Sequence, residues 1–285
     1  MQEIARGMPV AFALWVFAAG AVVGSFLNVV IARVPKGQSI VSPGSRCPRC
    51  GNPIAWFDNI PILSWLLLRA RCRKCGLAIS ARYPLVELLS GFLAVAVVRH
   101  QGATWSALFY FLFAAALLAL SYIDLDSWLL PHQITWPLLG VGLVSPLWNP
   151  ALTYAEAGIG AAAGFAAFAA VALFGEKVLK RDTMGWGDVW LLAAIGAWLG
   201  WPALLPVILL SAVQGVAVGT ILLATRREPD PAPPPPPQPA ADEEWVPPRH
   251  AVPYGPFLAL AAMEYLFFGD RLVSRWNHLL FRLMS

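Results

Sequence analysis

Two aspartates stand where apolar runs meet polar sequence: Asp124 in "SYIDLDSWLLPH" and Asp188 in "MGWGDVW". A carboxylate at the edge of hydrocarbon is costly, so its presence there points to function. Two carboxylates held a few ångströms apart cannot both ionise and share a proton. One member then activates water while the other protonates a leaving amine, which is the equipment of an aspartic protease. A partly dehydrated membrane edge strengthens the coupling. Gly185 and Gly187 allow a sharp turn and the close passage of a substrate chain. A competing reading makes Asp188 the N-cap of the helix it opens. Asp126 reads as solvated or capping. Glu87, in "YPLVELLSG", reads either as functional or as the partner of a basic neighbour such as Arg82. Glu156 and Glu264 read as interfacial or structural.

A second constellation is chemically different. The four cysteines are Cys47, Cys50, Cys72 and Cys75, in "CPRC" and "CRKC". Two CxxC knuckles so separated can converge on one tetrahedral Zn2+. Glycines follow both knuckles, at Gly51 and Gly76, as tight sulfur-bearing turns favour. A segment of about fifty residues buries little core, so a metal supplies stability that packing cannot. With sulfur filling all four positions no site is left for an activated water, so the metal is structural. Disulfides and redox-active thiols are the competing readings, and a reducing cytoplasmic setting argues against the first.

These residues must be positioned by elements fit for a membrane. The chain has 285 residues, 58% hydrophobic and 13% charged, against about a quarter charged in soluble domains. Several apolar runs approach the roughly 20 residues that cross a bilayer. The expected class is an all-α polytopic membrane protein with about eight transmembrane helices. The spans are about Met8–Arg33, Tyr83–Val98, Trp105–Ile123, Trp128–Trp148, Tyr154–Gly175, Asp188–Leu199, Pro202–Thr225 and Tyr254–Phe268. The first run is too long for a cleavable signal and ends without a small-residue cleavage site, so it reads as a retained helix. The sixth span is short, and Pro202 and Pro206 suggest a bend at the start of the seventh. The small residues of "GIGAAAGFAAFAA" place the fifth inside the bundle.

Charge sets the orientation. Of the 20 Lys and Arg, nine lie in 33–82, and the loops around 176–187 and 226–252 hold three each. With eight crossings these three loops share one face, which the positive-inside rule makes cytoplasmic. Both acids then emerge at that face, and both termini lie opposite. The net charge of +4 therefore serves topology and anionic lipid rather than nucleic acid.

The expected organisation is a first transmembrane helix (1–33), a cytoplasmic four-Cys zinc domain between helices 1 and 2 (34–82) and a transmembrane catalytic bundle (83–225). A proline-rich cytoplasmic linker (226–252) and a last helix with an amphipathic tail (253–285) follow. The run "EPDPAPPPPPQPAADEE" reads as a polyproline-II spacer or disordered loop. The tail "DRLVSRWNHLLFRLM" reads as a helix lying on the membrane or as one packed on the bundle.

The ordered motifs resemble the type IV prepilin peptidase family. They are "GSFLNVVIARVP" (24–35), "NIPILSWLLLRARCRKCGLAISARYPLVELL" (59–89), "IDLDSWLLP" (123–131), "MGWGDVWLLAAIGAWLG" (184–200) and "VPYGPFLALAA" (252–262). The resemblance covers nearly the whole chain except the proline-rich insert and the tail. It implies an inner-membrane aspartic endopeptidase that removes the basic leader of prepilins or type II secretion pseudopilins at the cytoplasmic face. It further implies N-methylation of the new N-terminus with S-adenosylmethionine. Its catalytic aspartates fall on Asp124 and Asp188, and its zinc cysteines on Cys47, Cys50, Cys72 and Cys75. Three positions depart from the pattern: His132 where Asp is common, Trp190 where Lys is common, and Ala70 where Gly is usual. The departures at His132 and Trp190 raise the alternative of a catalytically silent scaffold in a pilus or secretion machine. A proton-coupled transporter is a third reading, which acids near mid-membrane would favour.

Overall fold

A computed structural model describes residues 8–180, 184–225 and 252–284. Its α-helices are α1 Val10–Arg33, α2 Leu63–Leu67, α3 Arg82–Gln101, α4 Trp105–Ser127, α5 His132–Leu143, α6 Tyr154–Phe174, α7 Trp186–Leu199, α8 Leu204–Thr225 and α9 Gly255–Met284. Among the described residues there is no strand, only the isolated bridges Arg46–Pro53 and Arg71–Ala78. The proline-rich linker lies, but for Val252, outside the described residues.

Among the described residues, five helical stretches are long and apolar enough to cross a membrane: Val10–Lys36, Arg82–Gln101, Trp105–Ser127, Tyr154–Leu179 and Trp201–Thr225. The other three expected crossings are shorter. α5 has 12 residues, α7 has 14, and the apolar part of α9 is Gly255–Gly269. At 1.5 Å per residue α7 is about 21 Å long, less than the roughly 30 Å hydrocarbon core. It can be short because protein surrounds it: Val189, Leu191, Leu192, Ile195 and Trp198 are all buried.

Close helix approach follows from small residues. A Cβ on Gly160 would sit 2.1 Å from the Gly196 carbonyl oxygen, and one on Gly196 would sit 2.2 Å from that of Gly160. α6 and α7 therefore meet backbone to backbone, the contact small residues provide where lipid offers no hydrophobic drive. α6 is nonetheless not the interior helix expected, since only 33% of its most apolar window is buried. Its glycines serve one face, while Ile159, Val171 and Phe174 point outward. α7 is the central element. α1 and α3 pair in the same way: a Cβ at Gly24 would lie 2.7 Å from the Glu87 Cα, and the Ser90 hydroxyl donates to the Gly20 carbonyl at 2.7 Å. Pro202 lies in the Trp201–Ala203 turn preceding α8, where the bend was expected. The C-terminal tail continues α9 without a break in helix through Met284.

Candidate active site

The helix ends decide where the acids lie. Asp124 is in the last turn of α4, where its carbonyl accepts the N–H of the cap residue Trp128 at 2.9 Å. Its side chain is buried, and its Oδ2 accepts the N–H of Gly255 at 3.0 Å. Gly255 opens α9, so this N–H belongs to the unsatisfied, positively polarised end of a helix, which suits a carboxylate. A Cβ at Gly255 would lie 2.6 Å from that oxygen, so glycine is what lets the two approach.

Asp188 lies in the first turn of α7, with its N–H donating to the Gly185 carbonyl at 3.0 Å. The N-cap position belongs to Gly185, and no side chain caps the helix. The capping reading of Asp188 therefore has no support. Its Oδ1 is buried without a hydrogen-bond partner, an arrangement that costs free energy unless a ligand or a shared proton meets it.

Leu130 is the knot between these helix ends. A Cβ at Gly187 would meet the Leu130 Cβ at 2.7 Å, and one at Gly255 would meet its Cδ1 at 3.3 Å. The end of α4 and the starts of α7 and α9 thus converge, placing Asp188 within electrostatic reach of Asp124. Tyr254 stands beside them, within electrostatic reach of Asp188 and with its hydroxyl 2.6 Å from Ser211 Oγ. Gly255 and Tyr254 belong to "VPYGP", residues to which type and spacing alone assigned no role. A glycine and a tyrosine starting an apolar helix were the available signal.

The remaining acids resolve individually. Asp126 is exposed, as expected of a solvated acid, and pairs with Arg82 at 2.7 Å. Arg82 also donates to the Tyr122 carbonyl at 3.2 Å and stacks over its ring. Arg82 is thereby not the partner of Glu87, whose Oε2 instead accepts the Ile62 N–H at 2.7 Å. Glu156 completes a capping box with Thr153, and Glu264 accepts from Gln214 Nε2 at 2.8 Å; both are structural, as expected. His132 and Trp190 meet one another's neighbours: His132 stacks on Trp136, and Trp190 packs against Trp136 and Phe165. Their ring partners are aromatic, not the carboxylates.

The cysteines also converge. Their sulfur atoms all lie within 4.8 Å of one another, and Cys47 Sγ is 3.7 Å from Cys75 Sγ. A tetrahedral site with metal–sulfur bonds of about 2.3 Å needs sulfurs about 3.8 Å apart. The two knuckles are built alike. Cys47 N–H donates to Asn52 and Gly51 N–H to Cys47, as Cys72 N–H donates to Leu77 and Gly76 N–H to Cys72. Gly51 and Gly76 have φ of 66° and 69°, the left-handed geometry for which glycine is suited. Backbone N–H groups, of Cys50 first and then Arg49, lower the Cys47 thiol to about 6, favouring the thiolate that binds metal. The cluster can therefore hold a metal ion. Asp58 and Arg73 clip the second knuckle to the preceding turn with a bidentate pair at 2.6 and 2.8 Å.

Comparison with known proteins agrees with this architecture. Residues 18–101 match the model described as "Bacterial Peptidase A24 N-terminal domain". Residues 111–220 match "Type IV leader peptidase family". A Myxococcus xanthus protein named "Prepilin leader peptidase/N-methyltransferase" is 45% identical, covering 90% of each chain. Proteins of the same name from Aeromonas hydrophila and Pseudomonas aeruginosa are 38% and 36% identical, covering 97% and 94% of each chain. No solved structure matches. With relatives this similar over nearly its whole length, an acid pair at converging helix ends and a four-cysteine cluster, the chain belongs to the type IV leader peptidase family.

Proposed function

We propose that this protein is a membrane aspartic endopeptidase that removes the basic leader of type IV prepilins or type II secretion pseudopilins. Asp124 and Asp188 are its catalytic pair. The observation that carries this reading is the convergence of the helix ends that bear the two carboxylates, with the Asp188 Oδ1 buried and unpartnered there. The pair holds one proton. The ionised carboxylate takes a proton from water, whose oxygen forms a bond to the scissile carbonyl carbon. The C–N bond then breaks as the protonated carboxyl gives its proton to the leaving nitrogen. The two roles belong to the coupled pair. The departures at His132 and Trp190 leave both carboxylates in place and join an aromatic stack, so no observation favours a silent scaffold.

The names of the relatives support a second activity on the new N-terminus, N-methylation with S-adenosylmethionine. S-adenosylmethionine, when bound, would supply the methyl group that replaces one proton on the new terminal nitrogen. Cys47, Cys50, Cys72 and Cys75 would hold a structural Zn2+ that fixes the 34–82 segment as one domain. That domain stands on α1 and α3, next to the catalytic bundle of 83–225 and separated by the proline-rich linker from the last helix.

The distribution of Lys and Arg supports eight crossings of a bacterial inner membrane with the acid pair facing the cytoplasm. The Arg82–Asp126 pair supports it too, because it ties the four-Cys side of α3 to the acid-bearing end of α4.

The test is mass spectrometry of the N-terminus of a coexpressed prepilin. The wild-type enzyme should yield the shortened, methylated terminus. Asp124→Asn and Asp188→Asn should each leave the leader attached at unchanged enzyme abundance. Normal processing by either variant refutes the assignment.

A further inference from the structure

An exposed apolar face runs along α2. Leu63, Leu66 and Leu67 stand at positions i, i+3 and i+4, which share one side of a helix. All three are exposed, Leu67 by 80%. Ser64, between them in sequence, is buried. Its hydroxyl donates to the Phe57 carbonyl at 3.1 Å and accepts the Ile60 N–H at 2.9 Å. The Trp56–Asn59 turn is thereby tied to α2, and it adds the exposed Phe57 and Trp56, the latter 81% exposed. Apolar side chains gathered in this way on a polar segment mark an interaction surface.

Its depth identifies what it meets. The N–H of Ile62, the N-cap residue of α2, donates to Glu87 Oε2 at 2.7 Å. Glu87 lies more than one turn inside the stretch Arg82–Gln101, which is long and apolar enough to cross a membrane. At 1.5 Å per residue that is about 7.5 Å from Arg82 along the helix axis. Ile62 has φ of 64°, a conformation that a β-branched residue keeps only where its surroundings fix it. The Glu87 bond thus sets where α2 begins. A helix lying in a membrane interface buries its apolar face about 5–10 Å into the boundary between headgroups and acyl chains. The start of α2 falls in that range.

Charge points the same way. Against nine Lys and Arg in 33–82 there is one acid, Asp58, and it is bound to Arg73. Arg69, Arg71 and Lys74 follow α2 within a few residues and are exposed. Anionic headgroups complement such a segment, and Trp favours the interface itself. A protein partner would have to displace lipid to reach a face at this depth.

We infer that α2 and the Trp56–Asn59 turn form an interfacial anchor. Leu63, Leu66, Leu67 and Trp56 insert at the boundary of acyl chains and headgroups, and Arg69, Arg71 and Lys74 meet anionic phospholipid headgroups. The four-Cys segment is thus held against the bilayer at the end of α3 that carries Arg82, rather than projecting from it. This inference is independent of whether the acid pair cleaves prepilins.

The test uses full-length enzyme reconstituted in vesicles of phosphatidylethanolamine and phosphatidylglycerol. A fraction of the phosphatidylglycerol carries a diazirine near the carbonyl end of its acyl chain. After illumination, trypsin cuts at Arg49 and Arg69 and releases residues 50–69, which hold all the apolar residues of the anchor. Mass spectrometry then reads the lipid adducts, which should fall within 56–67. Leu66→Glu combined with Leu67→Glu should lower adduct yield about fivefold or more. Replacing both phosphatidylglycerols by their phosphatidylcholine counterparts should lower it about twofold or more for the wild type. If the double variant fails to fold, the wild-type comparison of the two lipids decides. Wild-type enzyme without adducts on 50–69, as a second copy or another protein covering this face would produce, overturns the inference. Equal labelling in the two lipids, or unchanged labelling of the folded double variant, overturns it as well.

Discussion

Replacing Gly255 by Ala is the sharpest probe of the acid pair, because it alters neither carboxylate. The added Cβ would lie 2.6 Å from Asp124 Oδ2 and 3.3 Å from both Asp124 Cγ and Leu130 Cδ1. Carbon–oxygen contacts below 3.0 Å do not persist, so Asp124 or α9 must shift by roughly 0.5–1 Å. That movement stretches the 3.0 Å Gly255 N–H bond to Oδ2. A hydrogen bond to a charged group contributes about 1.5–3 kcal/mol. Displacing a catalytic group by about 1 Å costs up to about a hundredfold in rate. Both routes give the same range, since each 1.36 kcal/mol is a factor of about ten. Gly255→Ala should therefore cut leader-peptide cleavage by about 10- to 100-fold in kcat, measured on purified enzyme in detergent at saturating substrate. Gly219→Ala is the matched control, because its Cβ would meet nothing within 4 Å and should leave kcat within twofold. Cleavage by Gly255→Ala within twofold of wild type would refute the idea that the α9 N-terminus positions Asp124.

Further outcomes test other parts of the fold. Gly160→Leu should strongly lower the detergent melting temperature, because even a Cβ there would lie 2.1 Å from the Gly196 carbonyl oxygen; thermal unfolding by tryptophan fluorescence reads it. If the four cysteines hold a structural Zn2+ as proposed, Cys72→Ser should reduce bound zinc, measured by elemental analysis, and expose the 34–82 segment to limited proteolysis, because so small a core gains stability from a metal. Trp190→Ala should cost about 1–3 kcal/mol of stability through lost contacts with Trp136 and Phe165. A chemical-denaturation series on the purified variant checks that value. Arg82→Ala removes a half-exposed ion pair and should change stability by no more than about 1 kcal/mol.

Patterned, local features were legible before any coordinates. The CxxC spacing and its following glycines define two knuckles, because ligand chemistry and turn geometry act within a few residues. The acids stood out because charge in an apolar setting is rare, and parity along the chain put both at one end of the bundle. The length of the hydrophobic runs identified the five long helices for the same reason: crossing hydrocarbon sets a length the sequence must meet.

Other features depended on which helices touch. Glycine-rich α6 and central α7 read alike by composition, and only packing assigned burial to the shorter helix. Arg82 had two acids within plausible reach, and the chain path gave it to Asp126, leaving Glu87 to hold Ile62. Gly255 carries no charge, so its N–H became part of the site only when α9 brought its open end to Asp124. Sequence by itself determined the membrane class, the four cysteines that can hold a metal and the acids, because each is fixed by residue type and near-neighbour spacing. Tertiary structure alone decided what faces each carboxylate, because a helix end or backbone donor leaves no side-chain signature until distant segments meet.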